Sequence, residues 1–234
     1  MRYIGLFLSG ICHQFPEHSL FIAGTQLPLC ARCTGMYLGA LVGLGSCWWR
    51  GRLKASWLPP LGILAVLTAL FGFWAVDGVN SYLHYVTGRI LLYSPRNALR
   101  LAVGLGNGLV LSAFTYPLFN FTLWKEPDRQ RVIVNLRELV GTVLLLSAVG
   151  GVLLANVTSS LYPTVLLSSA GVVVMLTLVN SMIVLLLLRK ENGVVNWHQA
   201  WPYLALGLAC ALAEVGGIAA LRWQLAPMLP VQAS

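Results

Sequence analysis

Long, uninterrupted apolar runs dominate the chain, and short polar connections separate them. The runs do not alternate with polar residues, so they are typical of helices and not of half-buried strands. Runs of about 17–25 apolar residues have the length needed to cross a bilayer. We therefore predict about six transmembrane helices, over residues 33–49, 58–76, 98–124, 138–156, 161–188 and 199–221.

The first twelve residues are also apolar, but this run is too short to cross a bilayer. No small-residue cleavage site follows it, so we expect a short interfacial or re-entrant helix and not a cleaved signal peptide. The predicted fold class is all-α, a polytopic integral membrane helical bundle. We expect one membrane domain over 1–234, made of an outer-face segment (1–32), spans one to three (33–124) and spans four to six (138–222).

The charge distribution predicts how the bundle is oriented. Only 9% of residues are charged, and the net charge is +8. Positive residues concentrate in cytoplasmic connections of membrane proteins, so we expect a multi-pass protein of the cell membrane with both termini extracytoplasmic. Membrane lipids are the expected partners of these charges, and nucleic acid is not an expected partner. The positive residues that carry this argument follow spans one, three and five: Arg50, Arg52, Lys54, Lys125, Arg129, Arg131, Arg137, Arg189 and Lys190.

Three of the five cysteines lie just before or at the start of the first span. Cys30 and Cys33 are one helical turn apart, so both thiols can face the same way, and Cys12 and His13 can fold back onto them. Three cysteines and one histidine form a common structural zinc shell. We predict a zinc site made by Cys12, His13, Cys30 and Cys33, with His18 as an alternative nitrogen ligand because adjacent Cys12 and His13 strain the geometry.

The same cysteines allow a redox interpretation. Cys30 and Cys33 can form a dithiol whose thiolates are favoured by the helix N-terminus and by Arg32, with Cys12 as an exchange partner. An extracytoplasmic location also permits a purely structural disulfide. Cys47 and Cys210 lie inside spans and are interpreted as small apolar fillers.

A second polar segment, between spans two and three, is expected on the same face and contains Asp77 and Arg100. An arginine near hydrocarbon needs an anion, and Asp77, Glu214 of span six and a lipid phosphate are the candidates. In a catalytic site, Asp77 or Glu214 would act as base while Arg100 binds an anionic group. The alternative is helix capping with arginines that reach the headgroups. Further polar candidates are Gln14, His18, Arg32, Asn80 and Asn97.

Glycines are spaced by four residues in spans one and three, at positions 35, 39 and 43 and at positions 104 and 108. Small residues at this spacing let helices approach closely in lipid. We therefore expect these two spans to pack together, with Cys33 and Arg100 near their common outer end.

Several of these segments resemble the signature of DUF2085, a prokaryotic membrane-protein family with a domain of unknown function. Similarity to a second signature of the family extends over Asp77-Gly78 and Asn97 to Arg100, with Gly104 and Gly108. The resemblance ends with the third span, and His18 stands where the pattern leads us to expect arginine. It implies a membrane location and a shared site but no activity. The first signature comprises Cys12-His13-Gln14, Pro16-Glu17, Ser19-Leu20-Phe21 and Leu27-Pro28-Leu29-Cys30-Ala31-Arg32-Cys33-Thr34-Gly35-Met36-Tyr37-Leu38-Gly39.

The leading hypothesis is a metal-binding membrane protein with a Cys/His site at its outer face, acting on a lipid or another anionic small molecule. A thiol–disulfide redox protein is the second hypothesis, and a small transporter or accessory subunit with a structural cysteine cluster is the third. Serine-hydrolase, Walker and dinucleotide-binding signatures are absent from the sequence. The pattern does not distinguish an enzyme from a binding protein.

Overall fold

The computed structural model describes residues 2–225 of the chain. In this part the chain is mainly helical, which confirms the predicted all-α bundle. Two single turns of 3₁₀-helix, Pro16–His18 and Thr158–Ser160, supplement the α-helices. The α-helices are α1 (Arg2–Leu8), α2 (Ala31–Trp49), α3 (Leu61–Thr87), α4 (Asn97–Leu123), α5 (Leu136–Leu154), α6 (Leu161–Leu187) and α7 (Trp197–Leu225).

Two short strand pairs, which the sequence did not predict, lie in the connections. Strands β1 (Ser19–Ile22) and β2 (Thr25–Cys30) form an antiparallel hairpin, and β3 (Ala55–Trp57) pairs in parallel with β4 (Asp128–Arg131). The hairpin turns at Gly24, whose φ of 76° suits glycine. Because β2 ends where α2 begins, the hairpin fixes the position of the first turn of α2.

Helices α3 to α7 are each long and apolar enough to cross a membrane, judged by length and composition. The predicted first span is helical, as α2, but does not belong to this group. The charged Arg32 lowers its mean hydropathy most, and its four glycines add no apolar side chains. Helix α2 instead lies along α4 inside the bundle, from Arg32 to Gly43.

The predicted glycine contact between spans one and three is confirmed. A Cβ atom added to Gly35 would collide with the carbonyl oxygen of Leu101, and one added to Gly39 with that of Leu105. One on Gly108 would meet the backbone of α2 in the same way. The order of these contacts makes α2 and α4 parallel, so both helices begin at the same end of the bundle.

The connections divide between the two ends of the molecule. Pairing of β3 with β4, and a bridge between Trp124 and Val194, join the connections that follow α2, α4 and α6. These are the connections with the concentrated positive charge, and we call this the basic end. The hairpin lies at the opposite end, where the backbone N–H of Ala23 donates to Asn156 at 3.0 Å.

Helix α3 is longer than the predicted span over 58–76, because apolar residues continue along one side of it up to Thr87. It ends at Gly88, which has a φ of 67°. Asp77 and Asn80 therefore lie on a helix and not in a loop, which corrects the prediction. Both side chains are buried and face the bundle.

Candidate metal centre

Three thiols converge at the hairpin end of the bundle. The Sγ atoms of Cys12, Cys30 and Cys33 all lie within 4.8 Å of one another. Cys12 follows α1, Cys30 ends β2, and Cys33 lies in the first turn of α2. Cys12 and Cys30 are buried, and all five cysteines of the chain are free thiols. The predicted convergence of the two cysteine segments is thus present.

Backbone N–H groups point at two of these sulfurs. The N–H of Cys30 donates to Cys12 Sγ at 3.2 Å, and that of Cys33 donates to Cys30 Sγ at 3.5 Å. Cys30 is the N-cap of α2, so the positive end of that helix dipole also faces the thiols. Hydrogen bonds from the thiols of Cys30 and then Cys33 lower the pKa of Cys12 well below its usual range. This shift favours the thiolate form of Cys12, the form that binds metal ions.

The spacing of the sulfurs fits a small metal ion. With metal–sulfur bonds of about 2.3 Å in a tetrahedral shell, sulfurs lie roughly 3.8 Å apart. The observed limit of 4.8 Å requires only small side-chain movements to reach this. Three thiolates leave a fourth position of the tetrahedron for another ligand. These three cysteines can therefore hold a metal ion.

The cluster of converging ligand atoms consists of the three cysteine sulfurs and does not include the predicted ligand His13. His13 Nδ1 lies 3.5 Å from Cys12 Sγ, while His13 Nε2 lies 2.9 Å from His18 Nδ1. The hydrogen bond with Cys12 raises the pKa of His13 to about 9, and burial lowers the pKa of His18 to about 4. With its ring protonated, His13 can donate to both the Cys12 sulfur and a neutral His18. This arrangement suits a residue that orients a ligand thiolate.

A cavity of about 290 Å³ is bordered by His13, whose ring also contacts the Cys12 sulfur. Phe15 and Tyr85 stack on one of its walls, with ring centroids 5.6 Å apart. Polar groups and aromatic rings meet in it, as is typical of small-molecule sites. Its lining residues are His13, Phe15, His18, Arg32, Gly78, Ser81, Tyr82 and Tyr85.

Asp77 pairs with Arg32 and not with Arg100, so the predicted ion pair is wrong. Arg32 forms a salt bridge with the Asp77 carboxylate and donates to the Ser81 hydroxyl at 3.1 Å. The Tyr93 hydroxyl donates to the other Asp77 oxygen at 2.8 Å. The fully buried carboxylate therefore joins α2, α3 and the connection that follows α3. A role as base stays a prediction for Asp77.

Arg100 is buried at the start of α4 and binds neutral oxygens. Its Nη1 donates to Asn97 Oδ1 at 2.9 Å and to the Glu17 carbonyl at 3.4 Å. Asn97 Nδ2 donates to the carbonyls of Glu17 and Ser19. The pair thus ties the hairpin segment to α4, and Asn97, a candidate helix cap, does not act in that role. No carboxylate among residues 2–225 forms a salt bridge with Arg100.

Glu214 lies away from Arg100, which corrects the second predicted ion pair. Its carboxylate accepts a hydrogen bond from Asn180 at 3.0 Å and so links α7 to α6. Helix α7 packs against α6 and α1, and this position keeps Glu214 from reaching α4. A catalytic role for Glu214 stays a prediction without geometric support.

The segment with Cys12 and His13 is fixed from two sides. Gln14, at a φ of 59°, donates from Nε2 to the carbonyls of Gly5 (2.8 Å) and Pro28 (2.7 Å). Arg222 donates from α7 to the carbonyls of Cys12 (2.9 Å) and His13 (3.1 Å). The sequence reading missed Arg222. The feature that could have indicated its role is its position: Arg222 is a basic residue in the last turn of the last span, far from the basic connections.

The other predicted polar residue, Asn80, organises the connection after α3. Its Nδ2 donates to the Tyr93 carbonyl at 2.9 Å, and its Oδ1 accepts from the Leu92 N–H at 3.1 Å. This places Tyr93 where its hydroxyl reaches Asp77. Asn80 therefore supports the site through the backbone of its neighbours.

Comparison with known proteins shows similarity over this half of the chain. The family model described as "Predicted membrane protein (DUF2085)" matches residues 12–114, which include all three clustered cysteines. The uncharacterized protein MJ1492 of Methanocaldococcus jannaschii is 34% identical over 116 residues, covering 50% of this chain and 68% of that protein. An uncharacterized protein of Methanothermobacter thermautotrophicus is 29% identical over 113 residues, covering 48% of this chain and 91% of that protein. No solved structure matches the chain.

Proposed function

The chain belongs to the DUF2085 family of predicted membrane proteins, and we propose that it binds a zinc ion through Cys12, Cys30 and Cys33. The observation that carries this proposal is the convergence of three thiols, from two separate segments, within 4.8 Å. Burying three polarisable thiols beside backbone donors suits a soft, tetrahedral cation. The positive charge of the opposite end supports a zinc site at the extracytoplasmic face.

The cavity bordered by His13, the histidine that contacts Cys12, supports a binding role beyond structural zinc. Zinc with three protein ligands keeps a fourth position, where it supplies Lewis-acid chemistry to a bound ligand. His13 contributes positive charge to the cavity lining when it is protonated, and Arg32 contributes a guanidinium group that is paired with Asp77. Phe15 and Tyr85 give the cavity an apolar wall. The ligand that fits this combination is an anionic lipid headgroup or a small organic anion.

Two of the predicted catalytic residues, Asp77 and Arg100, already have hydrogen-bond partners within the protein. Asp77 and Arg32 lie beside the cavity, but both oxygens of Asp77 already accept hydrogen bonds, which favours a positioning role. Arg100 holds the hairpin segment through Asn97 and Glu17. We propose that these residues set the shape of the site and that His13 orients Cys12.

A thiol–disulfide redox protein is the alternative, and the lowered pKa of Cys12 is the observation that favours it. The test uses a Cys47→Ala, Cys210→Ala double variant, which leaves only the three clustered thiols. In metal-replete protein, we expect N-ethylmaleimide to add almost no label until a chelator is present, and three labels afterwards. Three labels without chelator would overturn the zinc proposal. An intact mass of the isolated protein that is lower by two hydrogens, the loss expected when one disulfide forms, would support the redox function.

A further inference from the structure

An arginine at the basic end has an unsatisfied, buried nitrogen. Arg50 follows the last turn of α2, and its Nη2 donates to the Glu138 carbonyl (3.2 Å) and to Thr142 Oγ1 (3.1 Å) on α5. Its Nη1 is buried and has no hydrogen-bond partner. A buried donor without an acceptor destabilises a protein, and a space of about 10 Å³ beside Arg50 has room for about one water as its acceptor.

The nearest carboxylate does not neutralise Arg50. Both oxygens of Glu138 accept from Arg52, each at 2.7 Å, and the Val134 N–H donates to one of them. Among residues 2–225, no salt bridge includes Arg50. The guanidinium group of Arg50, packed between two apolar helices, therefore has no carboxylate counter-charge within residues 2–225. This favours an anionic ligand.

A cavity of about 470 Å³ lies between α2 and α5 and is bordered by Arg50. The hydroxyls of Ser46 and Thr142 lie at its polar end with Arg50, while Val42 and Leu145 lie farther along the helices, towards the middle of the bundle. Trp49, 86% exposed, also borders it. Tryptophan is enriched where the hydrocarbon core meets the headgroups, which places the polar end at headgroup level.

We propose that this cavity binds the phosphate of an anionic glycerophospholipid. The phosphate pairs with the Arg50 guanidinium group, which borders the cavity and forms no salt bridge within residues 2–225, and the hydroxyls of Ser46 and Thr142 lie beside the headgroup. An acyl chain lies along Val42 and Leu145. A phospholipid joins an acceptor anion to a long apolar chain in one molecule, and this cavity has the same order of polar and apolar ends. This site is separate from the cysteine site, at the other end of the bundle.

The test compares lipid retention by variants in native mass spectrometry. Arg50→Gln removes the charge, and the matched control Arg129→Gln removes an exposed charge from the same end. With added phosphatidylglycerol, we expect wild type and Arg129→Gln to retain one lipid that Arg50→Gln binds roughly tenfold more weakly, as expected for a lost charge-assisted hydrogen bond. Phosphatidylcholine should not replace it, and inorganic phosphate should not displace it.

A second variant keeps the arginine and removes the space. Leu145→Trp fills the apolar half of the cavity, and we expect it to lose the same lipid even if Arg50→Gln fails to fold. Equal phosphatidylglycerol retention by wild type and by every folded variant would overturn the proposal.

Discussion

Cys12 is held more firmly than its place in a short connection suggests. Its sulfur accepts the Cys30 N–H, and its carbonyl accepts a hydrogen bond from Arg222. His13 contacts the same sulfur from the next position along the chain. The thiol farthest from the others in sequence is thus fixed before any ion binds, and preorganisation of this kind raises affinity.

At this scale, we expect His13→Ala to weaken zinc binding by about 10–100-fold, the usual cost of losing a hydrogen bond to a metal ligand. The measurement is competition with a chromophoric chelator in detergent. His198→Ala, an exposed histidine outside the site, is the matched control and should bind as wild type does. An unchanged affinity in His13→Ala would contradict the orienting role.

A second residue-scale prediction concerns the buried ion pair. Asp77→Asn should lower the melting temperature, because it leaves the Arg32 guanidinium group, whose side chain is 22% exposed, without its carboxylate partner, at a cost of about 1–3 kcal/mol. Asp128→Asn, at an exposed position, should melt as wild type does. Melting followed by tryptophan fluorescence in detergent compares the variants, and equal melting temperatures would show that the pair does not stabilise the bundle.

The sequence predicted the three thiols but not the ion pairs, for a physical reason. The positions of Cys30 and Cys33 follow from local helical geometry, which spacing reveals. Which carboxylate meets which arginine depends on how three helices and a hairpin pack, and Arg32 faces α3 while Arg100 faces the hairpin segment. Apolar periodicity carries no information about that choice.

At the scale of elements, the contact between α2 and α4 depends on glycines. Gly108→Ala should destabilise the protein, because the added Cβ would lie 2.6 Å from the Ala40 nitrogen and even closer to the Met36 carbonyl. Overpacking of this kind typically costs about 1–3 kcal/mol. Gly72→Ala is the control, since a Cβ there meets nothing within 4 Å. Melting temperatures measure the difference, and a Gly108→Ala protein as stable as wild type would contradict the close contact.

Glycine spacing predicted this helix pair well, whereas the ends of elements were harder to predict. The span over 58–76 extends to Thr87 because polar Asp77 and Asn80 are buried against the bundle, so they do not end the helix. The β1–β2 hairpin also escaped prediction, since its strands are short and lie next to longer apolar runs. Both differences arise from tertiary contacts that bury polar residues.

At the scale of the whole molecule, the gathering of the basic connections at one end supports an orientation that remains a prediction. We expect a reporter inserted near Lys190 to be cytoplasmic, and tags inserted near Tyr162 or added after Ser234 to be extracytoplasmic. Ser234 lies outside the described residues. Accessibility of the tags in intact cells measures this, and a tag near Tyr162 on the same side as one near Lys190 would contradict it.

The most direct test of the central claim is the zinc content of the purified protein. Elemental analysis should find about one zinc per chain in wild type, and almost none in Cys12→Ser, Cys30→Ser or Cys33→Ser, because each removes one of three thiolate ligands. Cys47→Ala should keep its zinc, since that thiol lies near the basic end. Wild-type protein without zinc after metal-replete expression, or full zinc retained by Cys30→Ser, would contradict the account.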